Sequence, residues 1–130
     1  MNRKLVALFL VLTMLAGLAV SVAESPAITV TDMKGREITL SEPATRVVAL
    51  TAADCEILCA LGAEETLVGR GTYCDYPESI LNVPVVDSGA ETNIEEIIAL
   101  QPQAVLMGTM NQTVEQVEAL AAAGIQVVVI

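Results

Sequence analysis

The sequence predicts an α/β fold: a Rossmann-like parallel sheet with flanking helices, preceded by an amino-terminal β-hairpin. Two patterns carry this reading. From Arg46 onward, short continuous apolar runs alternate with helical periodicity, as expected of strands buried on both faces and joined by right-handed helical crossovers. Ahead of that, residues 28–40 alternate apolar and polar about a Gly-bearing turn, which is a hairpin signal.

Residues 28–31 and 36–40 supply the hairpin strands, Asp32-Met-Lys-Gly35 the turn, and Ser41-Glu-Pro-Ala44 the break after it. Val47-Val-Ala-Leu50 predicts a buried strand, residues 54–61 a helix closed by Gly62, and Leu67-Val-Gly69 a short strand. An apolar run over 83–86 follows, then a helix over 94–100 stopped by Pro102. Residues 104–107 predict a strand, 113–123 a helix closed by Gly124, and 127–130 a final strand. Val114, Val117, Leu120 and Ala121 recur at helical spacing and read as core. No internal repeat or low-complexity segment is present.

Residues 1–23 read as a secretory signal. Arg3 and Lys4 give the positive start, residues 5–20 are almost unbroken apolar sequence, and Ser21-Val-Ala23 supplies small residues for cleavage. That run is shorter than the roughly 20 residues that span a bilayer. Leu15-Ala-Gly17 opens like a lipoprotein box, but Leu18 stands where the lipidated Cys would have to be. The expectation is a soluble exported protein, periplasmic or extracellular, with no stable membrane insertion after cleavage.

The chain carries 6 basic and 16 acidic residues, a net charge of −10, and cleavage would remove two of the bases. No basic patch can form, which excludes nucleic acid and argues against anionic membranes. Acidity is otherwise the mark of a solvated surface or of a basic docking partner. Histidine is absent, so mixed Cys/His zinc sites and His-based catalysis are excluded, and no nucleophile–base pair for acyl transfer or hydrolysis can be assembled. An enzyme is not expected.

Beyond the leader the only aromatic residues are Tyr73 and Tyr76, both in the loop Gly71-Thr-Tyr-Cys-Asp-Tyr-Pro77. Tyrosine offers a flat apolar face and a hydroxyl at low entropic cost, which suits stacking on a small planar ligand; a pair pinning the turn to the domain is the alternative. In open parallel sheets, ligands gather where strand carboxyl ends meet helix amino ends. Three loops hold such positions: Thr51-Ala-Ala53, residues 70–77, and Gly108-Thr-Met-Asn111. Candidate ligand contacts are Thr51, Ala52, Arg70, Tyr73, Cys74, Tyr76, Thr109, Met110 and Asn111. Thr51 with Asp54 and Asn93 with Glu96 also have capping-box spacing, and capping alone explains them.

Three cysteines in an exported chain leave at least one unpaired. Cys55 and Cys59, four apart on one predicted helix, are poorly placed to bridge. Cys74 meets Cys55 only if its loop folds over that helix; otherwise Cys55 or Cys59 is a small buried hydrophobe. No C-x-x-C spacing exists, and no basic residue is evidently placed to lower a thiol pKa.

Set out in order, these stretches resemble the amino-terminal lobe of a periplasmic binding protein of the iron-siderophore, haem and cobalamin class, which feeds ABC importers. The resemblance rests on the hairpin 29–40, Arg46-Val-Val-Ala-Leu50, Glu56-Ile-Leu-Cys-Ala-Leu-Gly-Ala63, Val68-Gly69 leading to Tyr73-Cys-Asp-Tyr-Pro77, Asn93-Ile-Glu95, and Ala99-Leu-Gln-Pro102. It implies one lobe (residues 24–130) of a bilobal protein with a helical backbone, acting as the solute-binding component that captures a metal chelate and delivers it to the permease. Ferric siderophore, haem and cobalamin are the candidate ligands. Metal is then expected only inside the ligand, with no cofactor of the protein's own, and the protein is expected to be monomeric. Tyr73 matches a loop position that contacts the corrin in cobalamin-binding relatives, and Glu95 matches a glutamate that meets arginines of the permease. Read without the resemblance, Glu95 is an acid in the first turn of a helix, favourable there by a few tenths of a kcal/mol. Gln103 departs from the family's usual Asp after Pro. The chain also ends in a strand at Ile130 with no second lobe, so the expectation is a fragment or truncated product. A stand-alone acidic α/β lobe acting by protein contact is the alternative.

Overall fold

The computed structural model describes residues 26–88, 91–110 and 113–130. The leader assigned to residues 1–23 and the candidate contact Asn111 lie outside these residues.

Strand β1 (Ile28–Thr31) pairs antiparallel with β2 (Glu37–Leu40), and the facing Thr29 and Thr39 hydroxyls are 3.1 Å apart. Gly35 takes φ 74° in the turn, a left-handed conformation that glycine adopts without penalty. The turn docks on the main sheet: Met33 N–H donates to Val129 O at 3.0 Å and Arg36 Nη2 to Val127 O at 3.2 Å. Asp32 Oδ2 accepts the Val129 N–H at 3.4 Å. The hairpin thereby satisfies polar groups of an edge strand that would otherwise invite foreign pairing.

That sheet is five-stranded and wholly parallel, in the order β5-β4-β3-β6-β7. Its strands are β3 (Val47–Ala49), β4 (Leu67–Gly71), β5 (Val85–Val86), β6 (Ala104–Met107) and β7 (Gln126–Val129). Helices α1 (Ala52–Ala60), α2 (Ile94–Ala99) and α3 (Val114–Ala122) connect them, with short 3-10 turns at Glu64–Thr66 and Glu78–Asn82. Alternation along the strands divides the core between the two faces. Val48, Val105, Met107, Val127 and Val129 pack with Ile97 of α2 and Leu120 of α3. Ala49 and Leu67 pack with Cys55 of α1, Cys74 and Ile80 on the other face. The predicted fold class is the observed one, and Gly62 (φ 73°) and Gly124 (φ 79°) follow the ends of α1 and α3.

Three elements differ from the sequence reading. Strand β4 runs two residues past Gly69, because Arg70 N–H donates to Pro84 O at 2.9 Å and keeps the chain in the ladder. Strand β5 is only Val85–Val86, since Val83 belongs to the preceding 3-10 turn and Pro84 has no N–H to give. Val114 and Ala121 are exposed, Val117 is half-buried, and only Leu120 of that apolar set is fully buried. Val114 opens α3 at the rim of the sheet, beside Thr109 and Lys34, where no strand covers it.

Candidate functional site

Parallel pairing puts the carboxyl ends of β3 to β7 on one edge. The chain leaves central β3 for β4 on one side and later returns to β6 on the other. The loops after β3 and β6 therefore diverge at the point where open sheets of this kind form a crevice.

Close backbone contacts hold this edge together. Leu50 N–H donates to Leu106 O at 3.1 Å, and Leu50 O accepts the Ser88 hydroxyl at 3.3 Å. The same Ser88 hydroxyl oxygen accepts the Thr72 N–H at 3.1 Å. A Cβ on Gly71 would sit 2.2 Å from Leu50 O, so only glycine lets β3 and β4 end side by side there. Gly108 approaches Thr51 similarly, at 3.1 Å from its methyl to a built Cβ.

Thr51 is the N-cap of α1: its hydroxyl accepts the Asp54 N–H at 3.2 Å and donates to Asp54 Oδ2 at 2.6 Å. Ala52, half-buried, begins the helix. Asp54 holds the Thr51 hydroxyl rather than the N-cap backbone, so this is a cap without the reciprocal half of a box. At α2, Asn93 accepts the Glu96 N–H at 3.2 Å, but Glu96 Oε2 turns to Asp87 N–H, also at 3.2 Å. The complete capping box is at α3, where Thr113 Oγ1 accepts Gln116 N–H at 3.2 Å and Gln116 Oε1 accepts Thr113 N–H at 2.9 Å. The sequence reading missed it, although Thr113-x-x-Gln116 has the required spacing.

The tyrosine loop follows β4. Tyr73 and Tyr76 are 75% and 67% exposed, so neither ring pins the turn to the domain. That work is done from inside. Arg70, expected on the rim as a free cation, is buried; it donates through Nη1 to Cys74 O at 2.7 Å, Nε to Val83 O at 3.1 Å and Nη2 to Leu81 O at 3.3 Å. Its place in β4 turns the guanidinium beneath the loop. Cys74, also expected at the ligand surface, is fully buried against Cys55 and Ala49. The turn explains it: Cys74 N–H donates to Gly71 O at 3.1 Å, and the bend returns the Cys74 side chain to the core while Tyr73 stays outside.

The thiols of Cys55 and Cys74 both donate to Ala49 O, at 3.6 and 3.8 Å, so the two sulfurs lie side by side on one carbonyl. The Cys74 sulfur beside it, reinforced by burial and by neighbouring negative charge, pushes Cys55 far up. On Cys74 the neighbouring Cys55 thiol acts the other way and, with the Gly71 N–H and the Arg70 charge, holds this thiol below its ordinary value. Arg70 is thus a basic group beside a thiol, which the sequence reading did not find.

Thr109 and Met110, after β6, are exposed, Met110 at 91%. Thr109 joins Lys34, Arg36, Thr113, Val114, Val117 and Glu118 around a groove of about 450 Å³ between the hairpin turn and α3. In sequence Lys34 reads only as part of the turn and Arg36 only as the start of a hairpin strand; the docking of the hairpin on β7 brings them to this rim. Glu95 is exposed in the first turn of α2, on a different loop from the tyrosines. Gln103 is well used: its Oε1 accepts Thr45 N–H at 2.7 Å and Arg46 N–H at 3.1 Å, fixing the entry to β3. Among the described residues no group of three or more His, Cys, Asp or Glu is arranged to hold a metal ion, and no helix is long and apolar enough to cross a membrane.

Comparison with known proteins places these features in one family. A family profile described as periplasmic binding protein matches residues 47–130. A vitamin B12-binding protein of Yersinia pestis (strain Pestoides F) is 33% identical over 87 residues, 67% of this chain but 31% of that protein. Among solved structures, the periplasmic vitamin B12 binding protein BtuF of Vibrio cholerae aligns with a TM-score of 0.60 and 28% identity, covering 67% of this chain and 34% of its own. The periplasmic haem binding protein HutB of Vibrio cholerae aligns at 0.59 and 32%, covering 65% and 33%. The haem binding protein HmuT superposes at 0.71 over 83% of this chain and 35% of its own; at 23% identity this is a likeness of fold. The chain thus spans about a third of the length of the relatives it matches. All four relatives are named as binding proteins rather than enzymes.

Proposed function

We propose a function from one premise: the chain belongs to the periplasmic binding protein family. On this reading it is one lobe of an exported solute-binding protein that captures a metal chelate and hands it to the permease of an ABC importer. The ligand lies against the carboxyl rim of the sheet, and a second lobe closes over it. Metal enters only as part of that ligand.

One observation carries the reading. The chain's two tyrosines beyond residue 23 stand exposed together on the loop after β4, beside the crevice between β3 and β6. A buried aromatic would serve packing, but two bare rings on a rim fixed from beneath by Arg70 suit a flat, largely apolar ligand. On this reading Thr51, after β3, and Thr109 and Met110, after β6, contribute from the same edge of the sheet. The commitment of Arg70 to carbonyls bears on ligand class. A catecholate siderophore is strongly anionic, and this loop offers it no free guanidinium, whereas a corrinoid needs none. We therefore favour a corrinoid over a ferric catecholate. Glu95, exposed at the start of α2 and apart from the tyrosines, is assigned to permease docking.

The test is calorimetric titration of a two-lobe protein containing this lobe with cobalamin, haemin and a ferric catecholate. Cobalamin is expected to bind most tightly and to weaken on Tyr73→Ala. Equal binding of the Tyr73→Ala protein, or preference for the catecholate, would overturn the assignment.

A further inference from the structure

We propose that Cys55 and Cys74 are a disulfide-forming pair that staples the tyrosine loop to helix α1, closed by thiol–disulfide exchange with a disulfide oxidant, while Cys59 takes no part.

The argument begins with position. Cys55 lies in the first half of α1 and Cys74 in the loop after β4, and both are fully buried in the same cluster. Both sulfurs rest on one atom: Cys55 Sγ is 3.6 Å and Cys74 Sγ 3.8 Å from Ala49 O. Closure then begins from two sulfurs already held on the same carbonyl. The folded chain thus supplies the proximity that sequence spacing could not show. Cys59 is one helical turn beyond Cys55 and only half-buried, on the same helix as its sole near candidate partner, which prevents a bridge between those two.

The order of events follows from the surroundings. Cys74 sits between exposed Tyr73 and Asp75, so it is the thiol that an oxidant meets when the loop forms or lifts. The neighbouring Cys55 thiol and the adjacent Arg70 favour its thiolate, whereas Cys55 is held protonated. With glutathione disulfide as oxidant, the Cys74 thiolate attacks one sulfur, the oxidant's S–S bond breaks, and one glutathione leaves. Cys55 then loses its proton and attacks Cys74 Sγ, forming the protein disulfide and expelling the second glutathione. The two cysteines are oxidised by two electrons, glutathione disulfide is reduced to two thiols, and the two protein protons end on them. The product ties Arg70's loop and its exposed tyrosines to α1.

The experiment uses the full chain, purified reduced and incubated with excess glutathione disulfide, then alkylated and mapped by mass spectrometry without reduction. The expected result is a Cys55–Cys74 linked peptide with Cys59 alkylated, and a thermal midpoint at least about 10 °C above that of the reduced chain. Cys59→Ser should leave the link intact, and Cys55→Ser should trap one glutathione on Cys74. Alkylation of both Cys55 and Cys74 in chain that retains its circular dichroism, or a link through Cys59, would overturn the proposal. If the serine variants fail to fold, the peptide map of the unaltered chain decides alone.

Discussion

Asp32 is a carboxylate whose side chain is wholly hidden from solvent, with bonds reaching both ends of the hairpin turn and the edge of the sheet. Burial by itself would push its pKa up. Hydrogen bonds from the Arg36 side chain (2.6 and 2.9 Å) and from the Arg36, Lys34 and Val129 N–H groups outweigh that and hold it at about 2. Since this lies below the ordinary 3.8, the unfolded chain binds the proton first as pH falls. Stability from Asp32 is therefore complete above about pH 4 and lost on descending toward pH 2. Thermal melts across that window should show a falling midpoint, and Asp32→Asn should be less stable at neutral pH and show a flatter slope. An unchanged slope in the variant would mean that other acids, such as Glu115, carry the acid sensitivity. Tyr73 and Glu95 differ in a comparable way, by location. Tyr73→Ala should cost a two-lobe protein roughly 1–3 kcal/mol of ligand binding, on the scale of aromatic stacking. Glu95→Ala should leave binding alone and lower transport. If both only lower the melting temperature, their roles are turn and cap.

Elements were legible where one pattern decides them and less so where tertiary contact does. The apolar runs at Val47, Ala104 and Val127 gave strands because a sheet buried on both faces leaves no room for polar alternation. The end of β4 was not legible, because Arg70 stays in the ladder through a bond to Pro84, fourteen residues on, and through carbonyls that only the folded loop presents. The exposed tyrosines were legible from composition; the meeting of Cys55 and Cys74 depended on a loop folding over a helix, which no spacing encodes. Val114 shows the reverse error, an apolar residue in helical register that falls on the rim. Its helix is fixed instead by its cap. Thr113→Ala removes the acceptor for Gln116 N–H and should cost about 1 kcal/mol in chemical denaturation. Because α3 covers β7 and borders the groove beneath the hairpin, the same change should loosen Lys34 and Thr109, seen as faster amide exchange there.

At the scale of the whole molecule, the proposed function makes the rim one surface of a site that needs two. Tyr73 and Tyr76 are largely exposed after β4, and Met110 stands nearly bare on the loop after β6, at the same edge of the sheet. A planar chelate laid against them is covered on one side and wet on the other, while good small-molecule sites bury most of the ligand. The entropic cost of holding the ligand is the same whether one face or both are covered, so halving the contact removes more than half of the net affinity. The chain spans about a third of its relatives' length, and its acidic surface offers no compensating long-range attraction for an anionic ligand. Titrated alone with cobalamin, haemin and ferric siderophores, the chain should bind feebly, with little dependence on salt for the uncharged ligands. Adding a second lobe in the same polypeptide should tighten binding by orders of magnitude, and Tyr73→Ala should then remove a larger share than it does from the lobe alone. Tight, saturable binding by this chain on its own would show that the rim is already a complete site, and would move the search for ligand contacts from the crevice edge to the groove lined by Lys34, Thr109 and Thr113.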